Sequence, residues 1–181
     1  TSNNETTTAT AKVKKIYGNT MSTITSSINV DPNTAATFSI SIINDKGNYV
    51  DDITFSQTST GTDAWSFTLP GTTTLAVDAT KVVSFSITPD IEALAGLKSI
   101  SFIATSKTDD NLENSIATIT LTVRVNQLPA LEVTKVGSSA QDIEAGKRVY
   151  YSFLVTNKGN AVDSFDITVV TDGIPEGWEA S

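Results

Sequence analysis

Thr37-Phe38-Ser39-Ile40-Ser41-Ile42-Ile43-Asn44-Asp45-Lys46-Gly47 is the stretch on which the fold turns. Phe38, Ile40 and Ile42 fall on one side of an extended chain and Thr37, Ser39 and Ser41 on the other, until the run stops at a turn-forming Asn/Gly cluster. Apolar residues at every second position mark a strand with one face in a core and the other in water. The pattern returns in Ile53 and Phe55, in Trp65, Phe67 and Leu69, in Leu75 and Val77, in Val83, Phe85 and Ile87, in Ile100, Phe102 and Ala104, and in residues 116–125. Asp31-Pro32-Asn33, Pro70-Gly71, Pro89 and Asp109-Asp110-Asn111 punctuate these runs. Residues 21–30 read as a weaker strand, and residues 90–96 as one helical turn, with Ile91 and Leu94 three apart and Gly96 closing it. About seven short strands at regular spacing predict an all-β, antiparallel two-sheet sandwich.

The chain then nearly repeats itself. Asn44-Asp45-Lys46-Gly47-Asn48-Tyr49-Val50-Asp51 returns as Asn157-Lys158-Gly159-Asn160-Ala161-Val162-Asp163, Tyr151, Phe153 and Val155 renew the strand before the turn, and Phe165, Ile167 and Val169 the strand after it. Before the turn the offset is 113, Ile42 meeting Val155; after it the offset is 112, Gly47 meeting Gly159, because Asp45 is extra in the first copy. Weaker echoes, Lys12-Val13 with Arg124-Val125 and Ser26-Ser27 with Ser138-Ser139, extend the match upstream. The expected organisation is a polar lead-in over residues 1–20 that doubles as the last strand of a preceding repeat, a complete sandwich over 21–126, a linker over 127–130, and the first part of a second sandwich over 131–181. That second part holds three of the expected strands, so it should gain others, from continuing sequence or from another chain.

Composition restricts function. The chain has 12 Lys and Arg against 20 Asp and Glu, a net charge of −8, and its basic residues never cluster, which argues against nucleic acid as a partner. With no His and no Cys, it cannot assemble a Ser-His-Asp or Cys-His nucleophile or the usual zinc sites. A 110-residue sandwich needs no disulfide, so the absence of Cys fits a prokaryotic surface protein. No apolar run approaches the roughly 18 residues of a membrane span.

Thr156-Asn157-Lys158-Gly159-Asn160-Ala161-Val162-Asp163-Ser164-Phe165 followed by Gly173-Ile174-Pro175-Glu176-Gly177-Trp178 resembles the NPCBM-associated (α-galactosidase-associated) immunoglobulin-like domain, which is similar to CARDB-type adhesion modules of archaeal and bacterial surface proteins. Residues 75–83, Ile87-Thr88-Pro89 and residues 96–104 are similar to the later segments of that family. The first copy departs from it at Asp45, which lengthens the turn, and at Ala64-Trp65, which stands for Gly-Trp. The resemblance implies tandem immunoglobulin-like β-sandwiches without catalytic residues of their own.

The candidate sites are few, and each has a plain alternative. Trp65 and Trp178 could stack sugars or close one end of a core. Asn4, in Asn4-Glu5-Thr6, is the one glycosylation sequon. Asp51-Asp52, Asp63 and Asp109-Asp110 are the carboxylates available for calcium, the one cofactor in play, but without the spacing of a calcium loop, and neighbours such as Asp51 and Asp52 should face opposite ways. Lys81, Lys98 and Lys147 are candidates for a Lys–Asn crosslink, against solvated surface lysines as the default. Asn and Gly in the repeated turn need no role beyond tolerating left-handed angles and binding their own downstream amides. The expected function is a non-catalytic spacer and assembly repeat of an extracellular, S-layer, stalk or filament protein, with self-association, neighbouring envelope proteins or polysaccharide as partners. A carbohydrate-binding accessory module of a secreted glycosidase is the alternative.

Overall fold

In this computed structural model, residues 6–62, 64–106 and 116–180 are described. The chain divides into two units, Thr1–Asn126 and Gln127–Ser181.

The first unit carries β1 (Thr20–Thr23), β2 (Ser27–Val30), β3 (Ala36–Ile43), β4 (Asp51–Ser59), β5 (Ser66–Thr68), β6 (Thr73–Leu75), β7 (Thr80–Thr88), β8 (Gly96–Ser106) and β9 (Ile116–Val125). One sheet runs β1-β3-β7-β5 and the other β2-β9-β8-β4-β6. The alternating residues meet between them: Phe38, Ile40 and Ile42 of β3 and Val83, Phe85 and Ile87 of β7 face Ile53 of β4, Ile100, Phe102 and Ala104 of β8, and Leu121, Val123 and Val125 of β9 in a single core. Phe85 ties the sheets together, its ring centroid 4.2 Å from that of Phe102 and 5.7 Å, edge-on, from that of Phe55. The chain is thus an all-β protein built on a β-sandwich.

The expected single strand over residues 21–30 is two strands in different sheets. Thr23 Oγ1 accepts the Thr25 N–H at 3.2 Å and bonds the Thr25 carbonyl at 3.0 Å, so a local side-chain turn replaces the ladder and lets the chain cross from one sheet to the other. Ile24, at the crossing, is fully exposed. Beyond it β2 runs parallel to β9, with Ser27 opposite Thr122 and Val30 opposite Val125, so the expectation of a wholly antiparallel sandwich is corrected at this edge. The edge strands β1, β2, β5 and β6 are each three or four residues long, which limits edge-to-edge pairing.

Three further expectations change. Residues 90–96 form no helix: the Glu92 N–H binds Asp90 Oδ1 at 2.8 Å and the Ala93 N–H the Asp90 carbonyl at 3.0 Å, an Asx-type turn that leads directly into β8. Val77 lies outside the short strand β6 and is 42% exposed. Residues 6–19 of the lead-in contain no strand, and Tyr17 and Asn19 are buried.

The second unit holds β10 (Leu131–Val136) and β11 (Ser152–Asn157), paired antiparallel. Their register matches that of β1 with β3: Thr20 faces Ile43 and Met21 faces Ile42, as Glu132 faces Thr156 and Val133 faces Val155. The strand expected at Phe165, Ile167 and Val169 is absent. Its counterpart in the first copy, β4, pairs with β8 and β6 and not with β3, and among the described residues of the second unit no such partner strands exist. Val133, Phe153, Leu154, Ile167 and Val170 are correspondingly exposed.

Candidate functional site

The repeated turn is held by a dense set of hydrogen bonds. Asn44, at the end of β3, is wholly buried. Its N–H binds the Ala79 carbonyl at 3.2 Å, its carbonyl accepts the Asp78 N–H at 2.8 Å, and its Nδ2 donates to the carbonyls of Tyr49 at 2.8 Å and Leu75 at 3.3 Å. Asp78 takes a left-handed conformation at φ 59° to make its bond, which a short polar side chain tolerates. In the second copy Asn157 Nδ2 donates to Ala161 at 2.8 Å, and Asn157 Oδ1 accepts the Gly159 N–H at 2.8 Å, the downstream amide expected from sequence.

The other asparagine of the turn reaches much further. Asn48 Oδ1 accepts the Ile16 N–H at 2.8 Å, the Asn48 N–H binds the Ile16 carbonyl at 3.0 Å, and Asn48 Nδ2 binds the Lys14 carbonyl at 3.0 Å. Asn160 Oδ1 accepts the Leu128 N–H at 2.7 Å, and the Asn160 N–H faces the Leu128 carbonyl at 3.3 Å. Lys15 stands 3.7 Å over the ring of Tyr49, and Tyr17 meets that ring edge-on at 6.2 Å. Sequence reasoning missed this role; its one signal was that an asparagine follows the glycine in both copies.

The two tryptophans part company. Trp65 is 9% exposed and belongs to the core, so its faces are not free to stack a sugar. It borders two open clefts, one of about 330 Å³ with Asp90, Glu92, Leu94 and Lys98 and one of about 380 Å³ with Gln57, Ser59 and Phe67. Trp178 is 56% exposed. Yet both make the same backbone bond, the Trp65 N–H to the Thr62 carbonyl at 2.9 Å and the Trp178 N–H to the Pro175 carbonyl at 3.1 Å, at matching positions of the two copies, although Gly177 is left-handed at φ 85° and Ala64 stands in its place in the first copy. Trp178→Ala is expected to shift stability by no more than about 0.5 kcal/mol, read as the urea midpoint by circular dichroism.

Of the candidate carboxylates that are described, Asp51 and Asp52 do not converge. Asp51 is buried and accepts the Ser106 hydroxyl at 2.5 Å, while Asp52 takes the Thr74 hydroxyl on the opposite face at 2.5 Å. Among the described residues no three His, Cys, Asp or Glu side chains form a metal-sized group. Asn4, Asp63, Asp109 and Asp110 lie outside the described residues. Lys98 borders the Trp65 cleft, and no bond of Lys81, Lys98 or Lys147 to an asparagine side chain is seen among the described residues. Lys158 and Glu132, 3.1 Å apart and both more than half exposed, form a surface ion pair of little energetic weight.

No family model matches the chain. No curated protein matches it. Among solved structures it is similar to a family 123 glycoside hydrolase from Clostridium perfringens, with a TM-score of 0.43, 10% identity, 61% of this chain covered and 27% of the other. It is also similar to the native conformation of E. coli alpha-2-macroglobulin, with a TM-score of 0.41, 10% identity, 67% of this chain and 7% of the other. A third likeness is to a chaperone–tip adhesin complex of CFA/I fimbriae biogenesis, with a TM-score of 0.38, 13% identity, 78% of this chain and 67% of the other. At these scores none of the three bears on what this chain does.

Proposed function

We propose that this chain is a non-catalytic spacer and assembly segment of tandem immunoglobulin-like sandwiches in a large prokaryotic cell-surface protein such as an S-layer, stalk or filament. The observation that carries the reading is the duplicated local structure. The strand register, the asparagine turn, its bonds to the upstream chain and the tryptophan turn each occur twice, 112 or 113 positions apart. Agreement of these features at nearly one spacing is what copies of one folding unit would produce. The sheet orders β1-β3-β7-β5 and β2-β9-β8-β4-β6 support the immunoglobulin-like reading, since they follow the four-strand and three-strand sheets of that fold, with β2 and β6 added at the edges of the second.

With the edges of the first unit short, the exposed apolar residues of β10 and β11 are the surface from which association is expected, since contiguous apolar area of this kind favours contact with another surface. A net charge of −8 opposes contact between like surfaces, so divalent cations should favour assembly by screening or bridging it. Light scattering of the purified chain should rise with calcium and fall back with chelator, and a glycoside-hydrolysis assay should stay at background. Saturable binding to a defined polysaccharide that Trp178→Ala abolishes with the fold intact, and no assembly under any condition, would favour the carbohydrate-binding accessory module instead.

A further inference from the structure

We infer that the asparagine turn is a main-chain clamp that makes the segment leading into each repeat an integral part of the sandwich that follows it. The inference rests on the repeat reading above and names the device that fastens the lead-in segment to its own repeat. Asn48 holds residues 14–16 at three points, and Asn160 holds Leu128 at two of the corresponding points, with the Lys158 N–H adding a bond to the Ala130 carbonyl at 2.9 Å. Ile16 and Leu128 stand 112 positions apart, as Asn48 and Asn160 do. Neither Ile16 nor Leu128 lies in a strand, so these bonds are not a by-product of sheet pairing.

The glycine of the turn is shaped for the same purpose. A Cβ at Gly159 would come 2.7 Å from the Leu128 carbonyl and 3.1 Å from the Ala130 nitrogen, and one at Gly47 would come 3.1 Å from the Ile16 carbonyl as well as running into the Asn44 side chain of its own turn. Only a residue without a side chain lets two backbones approach this closely. The turn therefore recognises main chain and not side chain. The gripping residues are Asn and Gly in both copies, while the gripped ones are Lys14 and Ile16 in one and Leu128 and Ala130 in the other.

At the end of β9 the first unit holds the same connecting segment from its own side. The Asn126 N–H binds the Val30 carbonyl at 2.9 Å and Asn126 Nδ2 binds Asp31 Oδ1 at 2.7 Å. Asn126 is thereby held to the first unit, as Leu128 is held to the second.

Amide hydrogen exchange of the full chain by NMR tests the clamp. The Ile16 and Leu128 amides are expected to exchange at least about tenfold more slowly than unbonded amides, although neither lies in a strand. Asn160→Ala should remove that protection at Leu128 and leave the β11 amides unchanged. Asn160→Asp, which keeps an acceptor oxygen, should retain it. Asn48→Ala should do the same at Ile16, in the unit with the larger core, with urea midpoints confirming that both variants remain folded. Unprotected Leu128 and Ile16 amides in the native chain, or protection indifferent to both alanine variants, would overturn the clamp. A chain that never assembles yet keeps this protection would lose the proposed function and keep the clamp, and assembly with unprotected amides would do the reverse.

Discussion

Phe85→Ala is expected to destabilise the first unit by about 3 to 5 kcal/mol, enough to leave it barely folded against a total of about 5 to 15 kcal/mol for a domain of this kind. Phe85 is fully buried in β7 and bridges the two sheets, its ring packed on Phe102 of β8 and edge-on to Phe55 of β4. Truncation removes the transfer free energy of the ring, leaves a cavity that strands cannot close without shifting, and forfeits two aromatic contacts. The control is Phe153→Ala in β11. Phe153 matches Ile40 of the first copy, yet Ile40 is fully buried and Phe153 is 59% exposed. That substitution should cost no more than about 0.5 kcal/mol. Urea unfolding followed by the fluorescence of buried Trp65 separates the two cases, and a Phe85→Ala cost below about 1 kcal/mol would show that the sheets do not share one core.

The contrast between Ile40 and Phe153 marks what the sequence could convey. Alternation identified the large apolar core residues of β3, β7 and β8 and missed only buried Ala36 and Ser106 at the strand ends, because a period of two is a local property that needs no knowledge of the partner strand. Partner choice is not local. Residues 21–30 read as one strand because nothing in their apolar pattern records that the Thr23 hydroxyl would break the ladder and send β2 to lie parallel to β9. Phe165, Ile167 and Val169 alternate as well as Ile53 and Phe55 do, but an alternating run becomes a strand only when another strand supplies its hydrogen bonds. The tryptophans teach the same lesson. The Trp65 and Trp178 amides each bond the carbonyl three residues back, and whether the indole is core or surface depends on strands elsewhere in the unit. The turn was legible as a turn; its grip on chain 32 residues upstream was not, since asparagine carries no mark of which carbonyl or amide it will bind.

Asn44→Ala is expected to cost the first unit about 2 to 4 kcal/mol, and Asn44→Asp more at neutral pH. Asn44 has no exposed surface, and its Nδ2 is the donor to the carbonyls of Tyr49 and Leu75. Alanine leaves the Leu75 carbonyl without that donor inside the protein and the partly buried Tyr49 carbonyl with one fewer, at roughly 1 to 3 kcal/mol for each group left unsatisfied. Aspartate is worse in a specific way: it replaces a donor with a carboxylate facing two carbonyl oxygens, burying a charge with no partner. The aspartate introduced at this position would then have a folded-state pKa raised above its unfolded value, because the native state binds the proton more tightly. Stability falls with rising pH wherever the native state holds more protons, so the deficit of Asn44→Asp relative to the native chain should shrink as pH is lowered from 7 toward 4.5, when the acid O–H can again donate to a carbonyl. The deficit of Asn44→Ala should not depend on pH. Urea midpoints of the three proteins at both pH values decide the matter: equal deficits for the two variants at pH 7, with no pH dependence, would mean that Asn44 only fills space. The corresponding Asn157 is exposed and bonds Ala161 within reach of water, so Asn157→Ala should cost no more than about 0.5 kcal/mol, and the same residue in the same motif would weigh several-fold more where the sandwich closes over it.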